Sequence, residues 1–163
     1  MTEPGAPKSV EFKPLKDLGA LPLNDTSELK FYVDEYKGFK YGSIRTFVTG
    51  PGYNGPTKAG VTLNPSVLAG VIAALEAAPK TGEGLAHEQE LGRFPKKAGV
   101  ALVLRAAVGK DAPAFELREF TEDGGFEPGW SKKGVRIPFA ELESTVRRLK
   151  QMQEVVGLPK SRA

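Results

Sequence analysis

Apolar and polar residues alternate in the segment 29–36, and this period of two predicts a β-strand. Phe31 and Val33 fall on one face of that strand, whereas Lys30 and Tyr32 fall on the other. The first face is suited to a hydrophobic core. The second face combines a cation with an aromatic ring.

A lysine–glycine turn leads into a second predicted strand, residues 39–49. On this strand Tyr41, Arg45 and Phe47 fall on one face, while Ile44 points the opposite way, toward a core. The two strands are therefore both expected to have one cationic and aromatic face.

Two segments have the three- and four-residue spacing of apolar positions that indicates an amphipathic helix. The first helix is predicted to begin at Asn64-Pro65, because Asn caps free backbone donors and Pro is tolerated at the first helical position, and to end before Pro79. The second is predicted at about 139–156, with Gly157 as its C-terminal stop. Its predicted apolar stripe comprises Phe139, Leu142, Val146, Leu149, Gln153 and Val156.

The strand pattern occurs twice in the chain. An apolar residue, an arginine, one further residue and a phenylalanine follow one another around Arg45 and again around Arg118. Each motif precedes a turn rich in Gly and Pro and then a strand in which lysine comes before glycine. Arg118 lies 73 residues after Arg45, and Gly134 lies 74 residues after Gly60. An internal repeat of this period predicts a two-domain or pseudo-symmetric protein.

The repeat divides the chain into predicted segments. Residues 1–27 are weakly periodic and contain several prolines, which predicts a flexible arm. The remaining segments are the first repeat at 28–79, a linker at 80–95, the second repeat at 96–157 and a tail at 158–163.

The composition argues against several classes of chemistry. The chain has 163 residues, 40% of them hydrophobic, with no cysteine and one histidine, His87. Disulfides and thiolate chemistry are excluded, and His87 with its loop carboxylates lacks the ligand spacing of a metal site. The sequence has no nucleophile–base pair, paired-carboxylate motif or phosphate loop before a helix. We therefore expect neither an enzyme nor a cofactor.

Targeting signals are not evident in the sequence. The first residues have no apolar run of the length of a signal peptide, and no segment is long enough to span a membrane. Together with the lack of cysteine, this predicts an intracellular protein, in the cytoplasm or nucleoid of a bacterium or in a eukaryotic nucleus. The formal net charge of +3, with a pI of about 9.1, permits an anionic partner.

Three motifs stand out in the first repeat: Tyr36-Lys37-Gly38, Ile44-Arg45-Thr46-Phe47 and the run KAGVTLNP at 58–65. Together they resemble the single-stranded-DNA-binding transcriptional coactivators of the positive-cofactor-four type, which are structurally related to the Whirly and Pur-alpha proteins. The blocks at 117–120 and 133–137 match the second and third motifs in repeat two.

The resemblance covers residues 28–78 well and 96–152 less well. Repeat two has no counterpart of Tyr36-Lys37-Gly38. An aromatic position of the family is held by Val48 in one repeat and Thr121 in the other. The second repeat is therefore expected to bind more weakly than the first.

The resemblance implies an α+β fold of two β-β-β-β-α repeats, each a curved antiparallel sheet with one helix. The repeats would pack as a pseudo-dimer, mainly through their helices, in place of the family's homodimer. It also implies binding of single-stranded DNA, with RNA, the transcription machinery and a second copy of the chain as further candidate partners. The alternative is a protein-interaction or structural module that keeps the fold without binding nucleic acid.

The predicted binding face combines cations with aromatic side chains, since cations track the phosphates of a single strand and bases stack on rings. In repeat two, Trp130 near Lys132 and Lys133 repeats this combination. The predicted nucleic-acid-binding residues are Lys30, Tyr32, Tyr36, Lys37, Lys40, Tyr41, Arg45, Phe47, Lys58, Arg105, Arg118, Phe120, Trp130, Lys132 and Lys133. The aromatics among them have the alternative role of packing against the N-terminal arm or a second chain.

Overall fold

The computed structural model describes residues 8–9, 13–78, 88–107, 113–121 and 129–159. The first unit contains β1 (Lys8–Ser9), β2 (Lys16–Asn24), β3 (Ser27–Tyr36), β4 (Phe39–Thr49), β5 (Tyr53–Leu63) and α1 (Pro65–Ala77). The second unit contains β6 (Glu88–Lys97), β7 (Val100–Ala107), β8 (Ala114–Thr121), β9 (Gly129–Pro138), a 3₁₀ turn (Phe139–Glu141) and α2 (Leu142–Val156). His87, the turn before β9 and the chain termini lie outside the described residues.

Each unit is a meander of four antiparallel strands followed by a helix. The first sheet has the order β1-β5-β4-β3-β2, in which the two-residue β1 pairs with β5 in parallel. The second sheet has the order β6-β7-β8-β9. The predicted α+β fold of two β-β-β-β-α repeats is therefore confirmed.

The predicted segment boundaries need correction, because each sheet begins earlier than expected. Strand β2 lies within the predicted arm, and most of β6 lies within the predicted linker. Both are edge strands whose pairing shifts register twice. Pro22 and Pro95 interrupt their alternation, and an edge strand tolerates proline because one side of its backbone has no neighbour to bond. The period-of-two signal is therefore weak in both strands.

Each helix packs mainly against the sheet of the other unit. Helix α1 packs against α2 and against β6 of the second sheet, where Phe94 contacts Gly70. Helix α2 packs against β2, β3 and β4 of the first sheet. Met152 lies so close to Gly42 that a Cβ at this position would come within 2.1 Å of the methionine sulfur. One continuous hydrophobic core therefore contains residues from both sheets and both helices.

Helix α1 follows its sequence prediction closely. The Asn64 side chain accepts a hydrogen bond of 2.8 Å from the backbone nitrogen of Val67, and Pro65 is the first helical residue. Its buried residues are the five apolar positions Val67, Leu68, Val71, Ile72 and Leu75. Cap and buried face are thus encoded locally.

Helix α2 differs from its prediction in its start and in its buried face. Because the residues from Phe139 to Glu141 form a 3₁₀ turn, the α-helix begins only at Leu142. The buried residues are Leu142, Thr145, Leu149 and Met152, whereas the predicted Val146, Gln153 and Val156 are only half-buried. The helix is rotated so that Met152 enters the space above Gly42. Neither the buried threonine nor this rotation follows from the apolar pattern.

The two sheets meet where β5 lies next to β9. No ladder of backbone hydrogen bonds joins these two strands in the described part of the chain. A polar contact also links the sheets: the Lys96 ammonium bonds the Glu119 carboxylate at 2.8 Å and the Thr62 hydroxyl at 3.0 Å. Among the described residues, no helix combines the length and apolarity that crossing a membrane requires.

We expect Leu149→Ala to lower the free energy of unfolding by about 2–5 kcal/mol, because the side chain is fully buried in the shared core and its loss leaves a cavity. Urea denaturation measures the change. Gln151→Ala is the control, since Gln151 lies on the exposed side of the same helix and should shift stability by less than about 0.5 kcal/mol. A Leu149→Ala variant as stable as the parent would contradict the packing of α2 described above.

Candidate nucleic-acid interface

The same irregularity interrupts both sheets at equivalent places. In the first sheet, Arg45 pairs with Gly60 and Phe47 with Pro56, so β5 advances four residues while β4 advances two. In the second sheet, Arg118 pairs with Gly134 and Phe120 with Trp130, so β9 likewise advances four residues while β8 advances two. We call residues 57–60 the first bulge and residues 131–134 the second bulge. Each bulge lies opposite an arginine, the second on the edge strand β9 and the first on the part of β5 beyond its short pairing with β1.

The arginine lies across the glycine in both bulges. A Cβ at Gly60 would lie 2.7 Å from Cζ of Arg45, and a Cβ at Gly134 would lie 2.7 Å from Cζ of Arg118. Any larger side chain would displace the guanidinium. The Arg and Gly of the sequence repeat are therefore direct contact partners.

Each guanidinium also anchors the bulge. Nη1 of Arg45 donates to the carbonyl of Thr57 at 2.8 Å, and Nη1 of Arg118 donates to the carbonyl of Ser131 at 2.9 Å. The hydroxyls of Thr57 and Ser131 then accept from the backbone nitrogen two residues on, at 3.1 and 3.0 Å. The residue in between is an exposed lysine in both units, Lys58 or Lys132. The bulge thus holds a lysine in solvent beside a fixed arginine.

Five exposed cations lie on the three strands around the junction of the two sheets. The neighbouring strands β4, β5 and β9 contain no Asp or Glu. They carry the exposed cations Lys40, Lys58, Lys132, Lys133 and Arg136, which we call the basic strip. Arg136 was not among the predicted residues, although its sequence position two residues after Gly134 places it on the same strand. The strip itself contains no carboxylate, although Glu35 lies opposite Lys40 and Glu116 lies opposite Arg136 on the neighbouring strands.

The rings of the predicted stacking residues Tyr32 and Phe47 are not exposed. Both are only 8% exposed, and their rings meet edge to face with centroids 6.3 Å apart. The Lys30 ammonium lies 4.6 Å from the centroid of Phe47 and 3.8 Å from a carboxylate oxygen of Glu28. This part of the predicted face is already packed, which the alternation of residues does not reveal.

Open aromatic faces lie instead at the tip of the β3–β4 hairpin. Tyr36 is 63% exposed and Phe39 is 75% exposed. Lys37, between them, has a left-handed φ of 52°, and its ammonium lies 5.3 Å from the centroid of Tyr36. Lys40 follows on β4 and is exposed. Phe39 was not among the predicted residues. The sequence signal that identifies it is an aromatic residue on each side of the Lys37-Gly38 turn.

The second unit has a different arrangement around its bulge. Arg105 stacks over Trp130 with its Cζ 4.1 Å from the ring centroid. Trp130 is 44% exposed and belongs to β9, so it lies on a strand rather than in the predicted turn. Phe120 contacts Trp130 at 4.7 Å between centroids, and the Arg93 guanidinium lies 5.3 Å from the Phe120 ring. Trp130 therefore has Arg105 over its ring and Phe120 against it, and only part of the ring is exposed.

A carboxylate neutralises the arginines of the second unit. Oε1 of Glu116 accepts hydrogen bonds from Nη2 of Arg105 and from Nε of Arg118, the latter at 3.3 Å. Burial alone would raise the pKa of Glu116, but the Arg105 hydrogen bond and the two guanidinium charges outweigh it and hold the pKa below its ordinary value. Glu116 is therefore ionised at neutral pH.

The first unit contains a less strongly paired acid. Burial raises the pKa of the Asp34 carboxyl, although a backbone hydrogen bond from Leu15 and the charge of Arg45 act in the opposite direction. Burial and the Asp34 charge likewise raise the pKa of Tyr41, its partner across the β3–β4 ladder. Tyr41 is half-buried, so its predicted role as a stacking face is limited to one part of its ring.

The structure groups eight of the fifteen predicted residues into three sets. The first bulge brings Arg45 and Lys58 together, and the second brings Arg118, Lys132 and Lys133 together. The hairpin tip is the third set. It comprises Tyr36, Lys37, Lys40 and the additional Phe39.

Comparisons with known proteins leave the family open. No protein-family model matches the chain, and a search of curated proteins gave no significant match. The resemblance to the single-stranded-DNA-binding coactivators stays a prediction. Within the described ranges, no cluster of His, Cys, Asp and Glu is arranged to hold a metal ion.

Gly60→Ala should lower the free energy of unfolding by about 1–2 kcal/mol, because the new methyl group displaces the Arg45 guanidinium from the Thr57 carbonyl. In an Arg45→Ala background the same change should cost less, with a coupling energy of about 0.5 kcal/mol or more. Urea denaturation of the four variants of the double-mutant cycle measures this coupling.

Gly52→Ala is the control for this cycle, because no atom lies within 4 Å of a Cβ at that position. It should change the free energy of unfolding by less than about 0.5 kcal/mol. Strictly additive costs for Gly60→Ala and Arg45→Ala would contradict the contact between these two residues.

Proposed function

We propose that this chain binds single-stranded nucleic acid along the basic strip. One observation carries the proposal: three neighbouring strands, β4, β5 and β9, expose five cations and contain no carboxylate. An excess of cations on neighbouring strands attracts a polyanion, because phosphates release their condensed counterions when a cation replaces them.

The cations and the exposed rings contact different parts of the nucleic acid. Lys58 and Lys132, each held beside a fixed arginine, contact phosphates on the two bulges. Tyr36 and Phe39 are exposed and offer ring faces on which bases stack, and the part of Trp130 that Arg105 leaves exposed adds to them. This combination binds with little sequence preference, because every base has a π-face.

The open rings favour a single strand over a duplex. Bases in a duplex are stacked on one another and present only their edges in the grooves. Stacking on Tyr36 or Phe39 therefore requires unpaired bases. Single-stranded DNA inside the cell, in a role like that of a transcriptional coactivator, is the target that the family resemblance favours; RNA is the alternative ligand.

A protein-interaction module is the second candidate function. It is favoured by the burial of Tyr32 and Phe47, since two of the predicted stacking rings are engaged in packing within the fold. This candidate predicts no difference between cation variants on the basic strip and cation variants elsewhere.

Lys58→Gln and Lys132→Gln should each weaken binding of a labelled single-stranded oligonucleotide and make the slope of log affinity against log salt shallower by about 0.7. Fluorescence anisotropy across a salt series measures both quantities. Lys150→Gln, with the same change in charge, is the control, because Lys150 lies on α2 and pairs with Glu76 at 2.9 Å. If all three variants behave alike, or if the parent prefers duplex, the basic strip is not the binding surface.

Phe39→Ala should weaken the same binding by about 1–3 kcal/mol while leaving the salt slope unchanged, because it removes a stacking face and no charge. The titration is the same, and Tyr36→Ala should behave similarly. Leu15→Ala is the matched control, since Leu15 is also exposed but has no ring. Parent-like affinity in both ring variants would rule out stacking at the hairpin tip.

A further inference from the structure

The two bulges are built alike but differ at one position on the same face as the arginine, which is Ser43, buried at 2% exposure, in the first unit and Glu116, mostly buried, in the second. Ser43 of β4 pairs with Tyr32 across the first sheet. Glu116 of β8, 73 residues later, pairs with Arg105 across the second sheet. Both positions lie two residues before the arginine that crosses the glycine. An uncharged residue in one unit is thus replaced by a carboxylate in the other.

The Glu116 carboxylate lies between two guanidinium groups. It accepts from Nη2 of Arg105 and from Nε of Arg118, and all three side chains are mostly buried. Guanidinium groups bind carboxylates and phosphates through the same N–H donors. The carboxylate therefore occupies a place that suits an anionic oxygen of a ligand.

The equivalent arginine of the first unit has no such partner. Arg45 forms no ion pair within 4 Å with any residue in the described part of the chain, and its one hydrogen bond goes to the Thr57 carbonyl. Its guanidinium therefore keeps donors that an added anion can use. The charge of Arg45 is felt by Asp34, but the two do not pair.

We propose that Glu116 determines where on the chain phosphates bind. Its carboxylate occupies the position between Arg105 and Arg118 that a nucleic-acid phosphate would otherwise take. The inference rests on the proposed function and deepens it. Phosphates are directed to Arg45 and Lys58 in the first unit. The second unit binds them through Lys132 and Lys133, since Arg136 lies opposite Glu116 across the β8–β9 ladder.

The test compares Glu116→Gln with Glu119→Gln. Both changes remove one negative charge from a mostly buried ion pair on β8, but Glu119 lies on the opposite face of the strand and pairs with Lys96 at 2.8 Å. Glu116→Gln should tighten binding of labelled oligothymidylate about fivefold or more at low salt, the gain of one added charged contact. Its salt slope should steepen by about 0.7. Glu119→Gln should change neither by a comparable amount.

The outcomes separate this inference from the proposed function. If the parent binds the oligonucleotide and the two variants behave alike, the role of Glu116 is overturned and the proposed function stands. If the parent does not bind at low salt, the proposed function fails, and calorimetric titration with inorganic tripolyphosphate decides on Glu116. Tighter binding by Glu116→Gln than by Glu119→Gln then supports the inference, and equal binding overturns it.

A second pair of variants, at Ser43, tests the proposal if Glu116→Gln fails to fold. Ser43→Glu places a carboxylate at the equivalent position beside Arg45, and Ser43→Gln adds similar bulk without the charge. With both variants shown to be folded by circular dichroism, Ser43→Glu should bind oligothymidylate less tightly and with a shallower salt slope than Ser43→Gln. Identical binding by this pair overturns the proposal.

Discussion

Each sheet has one apolar face, and the helix that covers it comes mainly from the other unit. Helix α1 packs mainly on β6 and only slightly on β5 of its own sheet, and α2 packs on β2, β3 and β4, so each sheet is covered mainly by the helix of the other unit. An uncovered apolar sheet is unstable in water, because a sheet must bury its hydrophobic face against another layer. The two units therefore form one core and fold as one body. The placement of β5 beside β9, and with it the basic strip, depends on this packing.

The bulges set the positions of the cations on this shared scaffold. A regular ladder would place the residues of β5 and β9 in simple alternation across from β4 and β8. The arginine that crosses Gly60 or Gly134 instead holds two additional residues out of register, through its bond to the carbonyl of Thr57 or Ser131. A charged donor fixed by packing and a backbone bond loses little freedom when a ligand arrives. The bulge thus preorganises the cations next to it.

The sequence predicted those features that are encoded by neighbouring residues. The cap of α1, its buried face and the duplicated Arg and Gly positions are all local patterns, and the structure has them. Strands β2 and β6 were missed because prolines and glycines interrupt their alternation at the sheet edges. The burial of Tyr32 and Phe47 depends on contacts across strands, so period-two alternation cannot separate a packed ring from an open one. The same limit applies to Met152, whose place in the core is set by the absence of a side chain at Gly42.

Duplication within one chain also permits the two copies to diverge. In a homodimer a change at one bulge appears at both, but here Ser43 and Glu116 are separate positions. The second unit uses this freedom to place a carboxylate between Arg105 and Arg118, and its pKa is held low by these same two charges. A buried pair of arginines without an anion would carry a large desolvation cost, so the carboxylate also stabilises the fold of that unit. The arginines of unit two are therefore part of a buried ion pair, while Arg45 of unit one forms none with the described residues.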